Sequence, residues 1–315
     1  MATVQAVLGP IDAAQLGRTL SHEHVLISMG EDNYHYPWMF DWEQTRANAV
    51  RELSEAKAGG VDTLIDMTTP DLGRSVAFIR DVAAASGMNV VVATGMWLDV
   101  PRSFWDRDVD RIADIFVREI EVGIGDTGTK AGVIKVANHA GGVTAEGERI
   151  LRGAARALKR TGCPISTHHW APERIGARQV EIFRQEGAPM DRICIGHSAD
   201  TTDVEYLESL LNAGVYLSMD GYPGDEGLPD WRERNATVKA LVDRGWAHRL
   251  MLGHDYAPRP VLAGVRPGSP EGPTRYLFVS KVAAPALRAE GVSDEAMDTM
   301  LRDVPRRFLS GEARR

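Results

Sequence analysis

The chain has 315 residues, 43% of them hydrophobic and 25% charged, with a formal net charge of −8. It is long enough to bury a large core, and one eight-fold α/β barrel of about 250 residues plus insertions accounts for it. The acidic balance is spread out and no Lys/Arg cluster offers a footprint for nucleic acid, while no apolar run approaches the roughly 18 residues of a membrane span.

Taken in chain order, the segment VQAVLGPIDAAQLG reads as a small β-turn element closing the bottom of the fold. Eight short runs rich in Val, Ile, Leu and Thr follow near 19–27, 61–68, 89–97, 131–137, 163–169, 193–198, 215–221 and 249–255. Between them, segments such as 108–124 and 147–162 return an apolar residue every three or four positions, the period of a helix. Several helices end at glycine, in AKAGGVDT, AASGMNV, KRTGCP and LNAGVY, where a left-handed cap is expected. Cys163 and Cys194 lie in or beside strand runs and read as buried free thiols. The rhythm breaks at DGYPGDEGLPDWRERN and APRPVLAGVRPGSPEGPTRY, both rich in Pro and Gly, where substrate-selecting loops are expected. The tail from Pro273 to Leu309 reads as a closing helix, a second short helix and a final PRRFL turn. Strict alternation of strand and helix implies parallel strands, and eight repeats favour closure. A doubly wound sheet would carry a glycine-rich loop after its first strand, where this chain has SHEH. The expected fold is α/β, a (β/α)8 TIM barrel forming a single domain over residues 1–315.

Residues able to bind metal recur at the ends of these runs: His22 and His24, Lys135, His168, His197 and Asp255. The C-terminal ends of barrel strands are where such enzymes keep their chemistry. Side-chain alternation sends His22 and His24 to one face and Glu23 to the other, so the two imidazoles form a chelating pair. Neutral imidazole and carboxylate suit Zn²⁺, with Co²⁺, Mn²⁺ or Fe²⁺ as alternatives. Ligands spread over so much sequence describe an open site rather than a closed structural cluster. Lys135, an ammonium among cations, should be pushed towards the neutral amine, which can add carbon dioxide to give a metal-bridging carbamate. The competing readings are a lysine that snorkels to the rim or pairs with Asp255. His169 should face the helical layer, and His254 reads as a hydrogen-bonding neighbour of the site. His139, just past Lys135, is a candidate for touching substrate or for a solvated loop.

In combination and order, SHEHV, GVIKVA, ISTH, IGHSADTTD and GHDY resemble the phosphotriesterase family of the amidohydrolase superfamily, including its lactonase branch. The resemblance spans nearly the whole chain. It implies an amidohydrolase-type barrel with two divalent metals. His22 and His24 would bind the more buried metal with Asp255, His168 and His197 would hold the more exposed one, and carboxylated Lys135 would bridge them beside a hydroxide. Two cations acidify the bridging water while Asp255 accepts the proton, giving Asp255 and Lys135 catalytic roles. A homodimer acting on a small molecule is also implied; the cytoplasmic location, with no nucleic acid or membrane partner, is expected instead from the charge distribution and from an N-terminus, MATVQAVLGP, without a basic segment followed by a long apolar run.

The rim departs from the lactonase pattern. Trp97 stands where a Tyr is expected, Gly221 where an Asp-Arg-Tyr or Asp-Arg-Phe triplet has its Arg, and NHAGG where an acidic-proline turn is expected. Trp97, Trp105, Trp170 and Tyr222 are candidates to wall an apolar pocket or to pack the core. The strand-seven loop is acidic through Asp225, Glu226 and Asp230, and the strand-eight loop offers Arg259 and Arg266 to an anionic group. The expected activity is hydrolysis of a carboxylic ester, foremost a lactone, with promiscuous organophosphate turnover. Alternatives are an amide or phosphorylated sugar lactone on the same centre and, more remotely, a non-catalytic ligand-binding barrel.

Overall fold

The computed structural model of the chain describes residues 2–28, 32–264 and 274–312. Eight parallel strands make one sheet in strict sequence order: β1 (Thr19–Glu23), β2 (Thr63–Asp66), β3 (Asn89–Gly95), β4 (Val133–Ala137), β5 (Ile165–His168), β6 (Ile193–Gly196), β7 (Tyr216–Met219) and β8 (Leu250–Leu252). The circle closes just beyond the strand ends, where Asp255 N–H donates to the His22 carbonyl at 2.9 Å and His24 N–H donates to the Tyr256 carbonyl at 3.1 Å. The architecture is a (β/α)8 barrel of the TIM type.

The strands are near-continuous apolar runs because both faces are covered. Val90 and Val92 of β3 pack outward under the helices, whereas Val91 and Ala93 join Ile65, Val133, Cys194 and Met251 in the barrel interior. Helices α1 (Trp42–Ala58), α2 (Val76–Ser86), α3 (Val109–Glu121), α4 (Ala145–Thr161), α5 (Ile175–Gln185), α6 (Val204–Asn212) and α7 (Trp231–Asp243) form the outer layer. The side chains of Asp41, Ser75, Thr144, Asp203 and Asp230 accept backbone N–H bonds at the first turns of α1, α2, α4, α6 and α7. These bonds satisfy donors that a helix start otherwise leaves without partners. Of the glycines expected as caps, Gly87 and Gly162 take the left-handed conformation directly after α2 and α4. A hairpin of Thr3–Ala6 with Gly9–Asp12 covers the N-terminal end, tied on by Val7 N–H to the Val90 carbonyl at 2.7 Å. Both cysteines are free and buried.

Three local expectations need correcting. The tail ends in a helix rather than a turn, and both tail helices widen into π-turns, at Val279–Ala283 and Thr299–Asp303, just before Pro285 and Pro305. Proline lacks the N–H that would continue the α-helical ladder, and a widened turn accommodates it. Asp230 is not a free rim charge, since it forms a capping box with Glu233 at the start of α7. Val261–Leu262 of the strand-eight loop pairs antiparallel with Phe40–Asp41 of the strand-one loop, which stitches those two rim loops together. Arg266 lies outside the described residues.

Gly95 at the end of β3 shows how tightly the rim is built. Its φ is +117°, and a Cβ there would stand 1.9 Å from the Lys135 carbonyl oxygen. Gly95→Ala is expected to lose about 2–4 kcal/mol of stability in urea denaturation, because strain and a backbone collision act together. A midpoint equal to wild type would refute this.

Candidate metal centre

Inward parity and two local distortions bring the candidate ligands together. Lys135 follows Val133 by two along β4 and therefore also points inward, and Asp255 keeps the phase of Met251 beyond β8. In β1 the pairing register shifts between Leu20 and Glu23. Ser21 bonds Ser218 inside the barrel at 2.7 Å, and His22 beside it also reaches the site. An irregular register of this kind re-aims side chains. His197, one residue past inward-facing Gly196, reaches the same place through a left-handed backbone with φ 57°, and Asp255 is also left-handed with φ 51°. Such conformations cost energy and cluster at functional sites.

The resulting cavity of about 190 Å³ is lined by His22, His24, Lys135, His168, His197 and Asp255, with Ile27, Leu72, Trp97, Ala257 and Arg259 as walls. Nε2 of His24 lies 3.2 Å and Nε2 of His22 3.7 Å from Asp255 Oδ1. One ligand atom from each of these three residues falls within 4.8 Å of the others.

Three of the four imidazoles are hydrogen-bonded by residues outside the candidate ligand set, and the fourth, His22, lies with Nδ1 against a carboxylate. His24 Nδ1 bonds Thr68 Oγ1 at 2.9 Å, and His168 Nε2 bonds His139 Nδ1 at 2.9 Å. Asp220 serves two rings, with Oδ1 2.8 Å from His197 Nδ1 and Oδ2 3.2 Å from His22 Nδ1. Fixing one ring nitrogen sets the tautomer and turns the other towards the cavity, where His24 Nε2 meets Asp255 and His22 Nε2 meets Lys135. The donor set fits divalent metal: imidazole and carboxylate, converging and already oriented.

Electrostatics favours the same reading. Burial, aided by Lys135, lowers His22 to about 3, and burial with neighbouring His197 holds His168 well below its usual range. Both rings are therefore neutral at physiological pH, the form that ligates metal. Burial opposes charge on His197, but Asp220 and Asp255 outweigh it and raise that pKa. Burial alone would raise Asp220 and Asp255, yet the surrounding histidines keep both carboxyls ionised. Lys135 is 1% exposed and burial lowers it to about 8 against the pull of Asp255 and Asp220. Its Nζ sits 2.7 Å from His22 Nε2. The lysine neither snorkels to the rim nor forms an ion pair with Asp255 among the described residues.

Trp97 and Arg259 are part of the cavity wall. Tyr222 is not: it is fully buried, with its hydroxyl donating to Asn235 Oδ1 at 2.8 Å in the core beside α7. The left-handed Gly221 before it directs the ring inward. His139 sits behind His168 and against Trp170, whose ring centroid is 4.7 Å away, rather than on the cavity wall. Trp105 is an exposed residue bonded to the Val100 carbonyl. His169 is buried with Nδ1 on the Gly196 carbonyl at 2.6 Å. His254 bonds Glu23 through Nδ1 at 2.7 Å and accepts from Val279 N–H through Nε2 at 2.9 Å. Sequence reasoning passed over Asp220, although a carboxylate two residues past an inward strand serine was the available signal.

A barrel with histidine and carboxylate donors gathered at the C-terminal ends of its strands is the architecture of a metal-dependent hydrolase. This chain belongs to the phosphotriesterase family, a binuclear metal-dependent family whose model matches residues 2–309. It is 43% identical to a phosphotriesterase homology protein of Mycobacterium tuberculosis, with 98% of each chain covered. The solved phosphotriesterase structure from that organism superposes with a TM-score of 0.89 at 41% identity, again covering 98% of both chains. An aryldialkylphosphatase of Saccharolobus solfataricus is 33% identical over 95% of this chain and 97% of its own, and N-acetyltaurine hydrolase of Rattus norvegicus is 25% identical over 98% and 97%.

The Lys135 environment makes a stability prediction for metal-free protein. Its folded pKa of about 8 lies below the ordinary 10.5, so between these values the unfolded chain binds more protons and stability rises with pH. Below pH 8 the cost is fully present. Lys135→Met is therefore expected to be more stable than wild type at pH 7, with the gap closing as pH rises to 10.5. Thermal melts of chelator-treated proteins across that range check it.

Proposed function

We propose that the protein is a binuclear metal-dependent hydrolase of carboxylic esters, foremost lactones, with promiscuous phosphotriester turnover. The observation that carries this reading is the convergence of His22, His24, Lys135, His168, His197 and Asp255 on one cavity. His22, His24 and Asp255 would hold one metal and His168 and His197 the other. Lys135 would bridge as a carbamate, its lowered pKa favouring the neutral amine that adds carbon dioxide. Zinc suits the donors best, with cobalt, manganese and iron as alternatives. Bound there, the metals would supply Lewis acidity and activate water.

The chain's own groups cover the remaining tasks. Asp255 Oδ1 is held by His24, and 36% of the Asp255 side chain is open, so Oδ2 can take a proton from the attacking water and release it. Trp97, Ile27 and Leu72 give an apolar wall for the acyl part. Arg259 makes no ion pair among the described residues and can hold an anionic substituent at the rim. The cavity is small beside typical ligand pockets of roughly 300–1,000 Å³, which favours a short acyl group.

A second reading, amide hydrolysis, is favoured by the relative whose name specifies an N-acetyl substrate. No described helix is long and apolar enough to cross a membrane. A cytoplasmic homodimer belongs to the same proposal, and exposed Tyr34, Trp38 and Met39 near the rim offer apolar surface for a second copy.

A panel of lactones, aryl esters, N-acyl amides and paraoxon should show the highest kcat/KM on a short-chain lactone. Faster turnover of an amide than of every lactone selects the second reading. Lys135→Ala should lose activity by about 100-fold or more, with partial recovery in short carboxylic acids that replace the bridging anion. Unchanged activity would refute the bridge. Asp255→Asn should lower metal content by elemental analysis while far-UV circular dichroism stays that of wild type.

A further inference from the structure

Among the described residues the largest fully buried side chain is Arg234, a cation in helix α7. A buried guanidinium is costly and is commonly replaceable by hydrocarbon without loss of stability. This one is also incompletely satisfied, because Nη2 has no hydrogen-bond partner. Stability is therefore a poor reason for its presence.

Its contacts lead to the candidate ligands. Nε donates to the Pro229 carbonyl at 2.9 Å, while Nη1 donates both to Asp200 Oδ1 at 2.7 Å and to the Asp220 carbonyl at 2.9 Å. Asp220 is the residue whose carboxylate bonds His197 Nδ1 at 2.8 Å and lies 3.2 Å from His22 Nδ1. Asp200 lies on the turn after β6, with its N–H bonded to the His197 carbonyl at 3.2 Å. One guanidinium thus clamps the end of β7 to the turn after β6, fixing both segments that aim His197.

Residue 221 makes room for it. A Cβ on Gly221 would stand 2.8 Å from Arg234 Nη1 and 3.2 Å from Asp200 Oδ1, so the space beside Asp220 is filled from the helix layer rather than from the strand.

We propose that Arg234 is a positioning residue of the metal centre, acting through Asp220 and Asp200 on His197 and His22. This rests on the reading of the cavity as a metal site, and the test separates the two. Arg234→Lys, Arg234→Met and Arg234→Ala are compared with wild type for kcat, KM, metal release to a chelating dye and, in metal-free protein, the imidazole ¹⁵N shifts of His197. Arg234→Met and Arg234→Ala should release metal about 10- to 100-fold faster and lose kcat by a similar factor. KM should stay within about threefold, because the residue does not touch substrate. Free guanidinium ion should restore part of the metal retention and kcat of Arg234→Ala, and the His197 shifts should move in metal-free variants. Should the truncations fail to fold, Arg234→Lys, which keeps the charge but loses the fork, is expected to show the same losses in smaller measure. Folded Arg234→Met with wild-type metal release and kcat would overturn the proposal. So would unaltered His197 shifts, or a lowered melting temperature as the sole change. Wild-type protein that holds no metal would sink the metal-site reading, while the metal-free ¹⁵N comparison would still judge the clamp.

Discussion

The structure depends on one geometric constraint: in a closed ring of parallel strands, every second side chain is forced into a common interior. Near the bottom that interior is filled by Ile65, Val91, Val133, Cys194 and Met251. Towards the C-terminal ends the same inward positions carry Lys135, His168, Asp220 and Asp255. The apolar layer therefore fixes the phase for the polar layer above it, so residues far apart in sequence meet without a dedicated scaffold. His197 and the His22 pair are the exceptions, and each reaches the ring by a local distortion of backbone or register.

Crowding titratable groups into this layer has an electrostatic consequence. The site cannot hold four charged imidazoles and an ammonium away from water, and burial drives His22, His168 and Lys135 towards their neutral forms. Asp220 and Asp255 stay ionised because the rings around them favour the negative charge. The outcome is a set of lone pairs and the Asp255 carboxylate facing one cavity, with Asp220 behind the rings, an environment suited to a multivalent cation.

Most of the barrel was legible in the sequence, because eight apolar runs bounded by glycines and separated by helical periods admit few other folds. The residues around the cavity were legible too, since histidines and a lysine at strand ends stand out against apolar surroundings. What escaped was whatever depends on contacts between elements. Asp220 looks ordinary in MDGY until its partners His22 and His197 are placed beside it. Tyr222 has the composition of a pocket wall, but the turn at Gly221 sends it into the core. Asp230 reads as a loop charge unless the Asp-x-x-Glu spacing to Glu233 is taken as a helix start.

The two-stranded patch joining Val261–Leu262 to Phe40–Asp41 is reinforced by Ala263 N–H on the Met39 carbonyl at 2.8 Å and by Val261 N–H on Thr45 Oγ1 at 2.9 Å. Arg259 and Ala257, on one side of the opening, are thereby coupled to the loop that follows His24. Insertions or deletions in either segment must respect the other, so divergence at this edge of the mouth should proceed by paired changes. Trp97, supplied by a separate strand end, is anchored elsewhere, its backbone N–H donating to Asp71 Oδ1 at 3.1 Å, so it can retune which acyl groups enter without paired changes in those two segments.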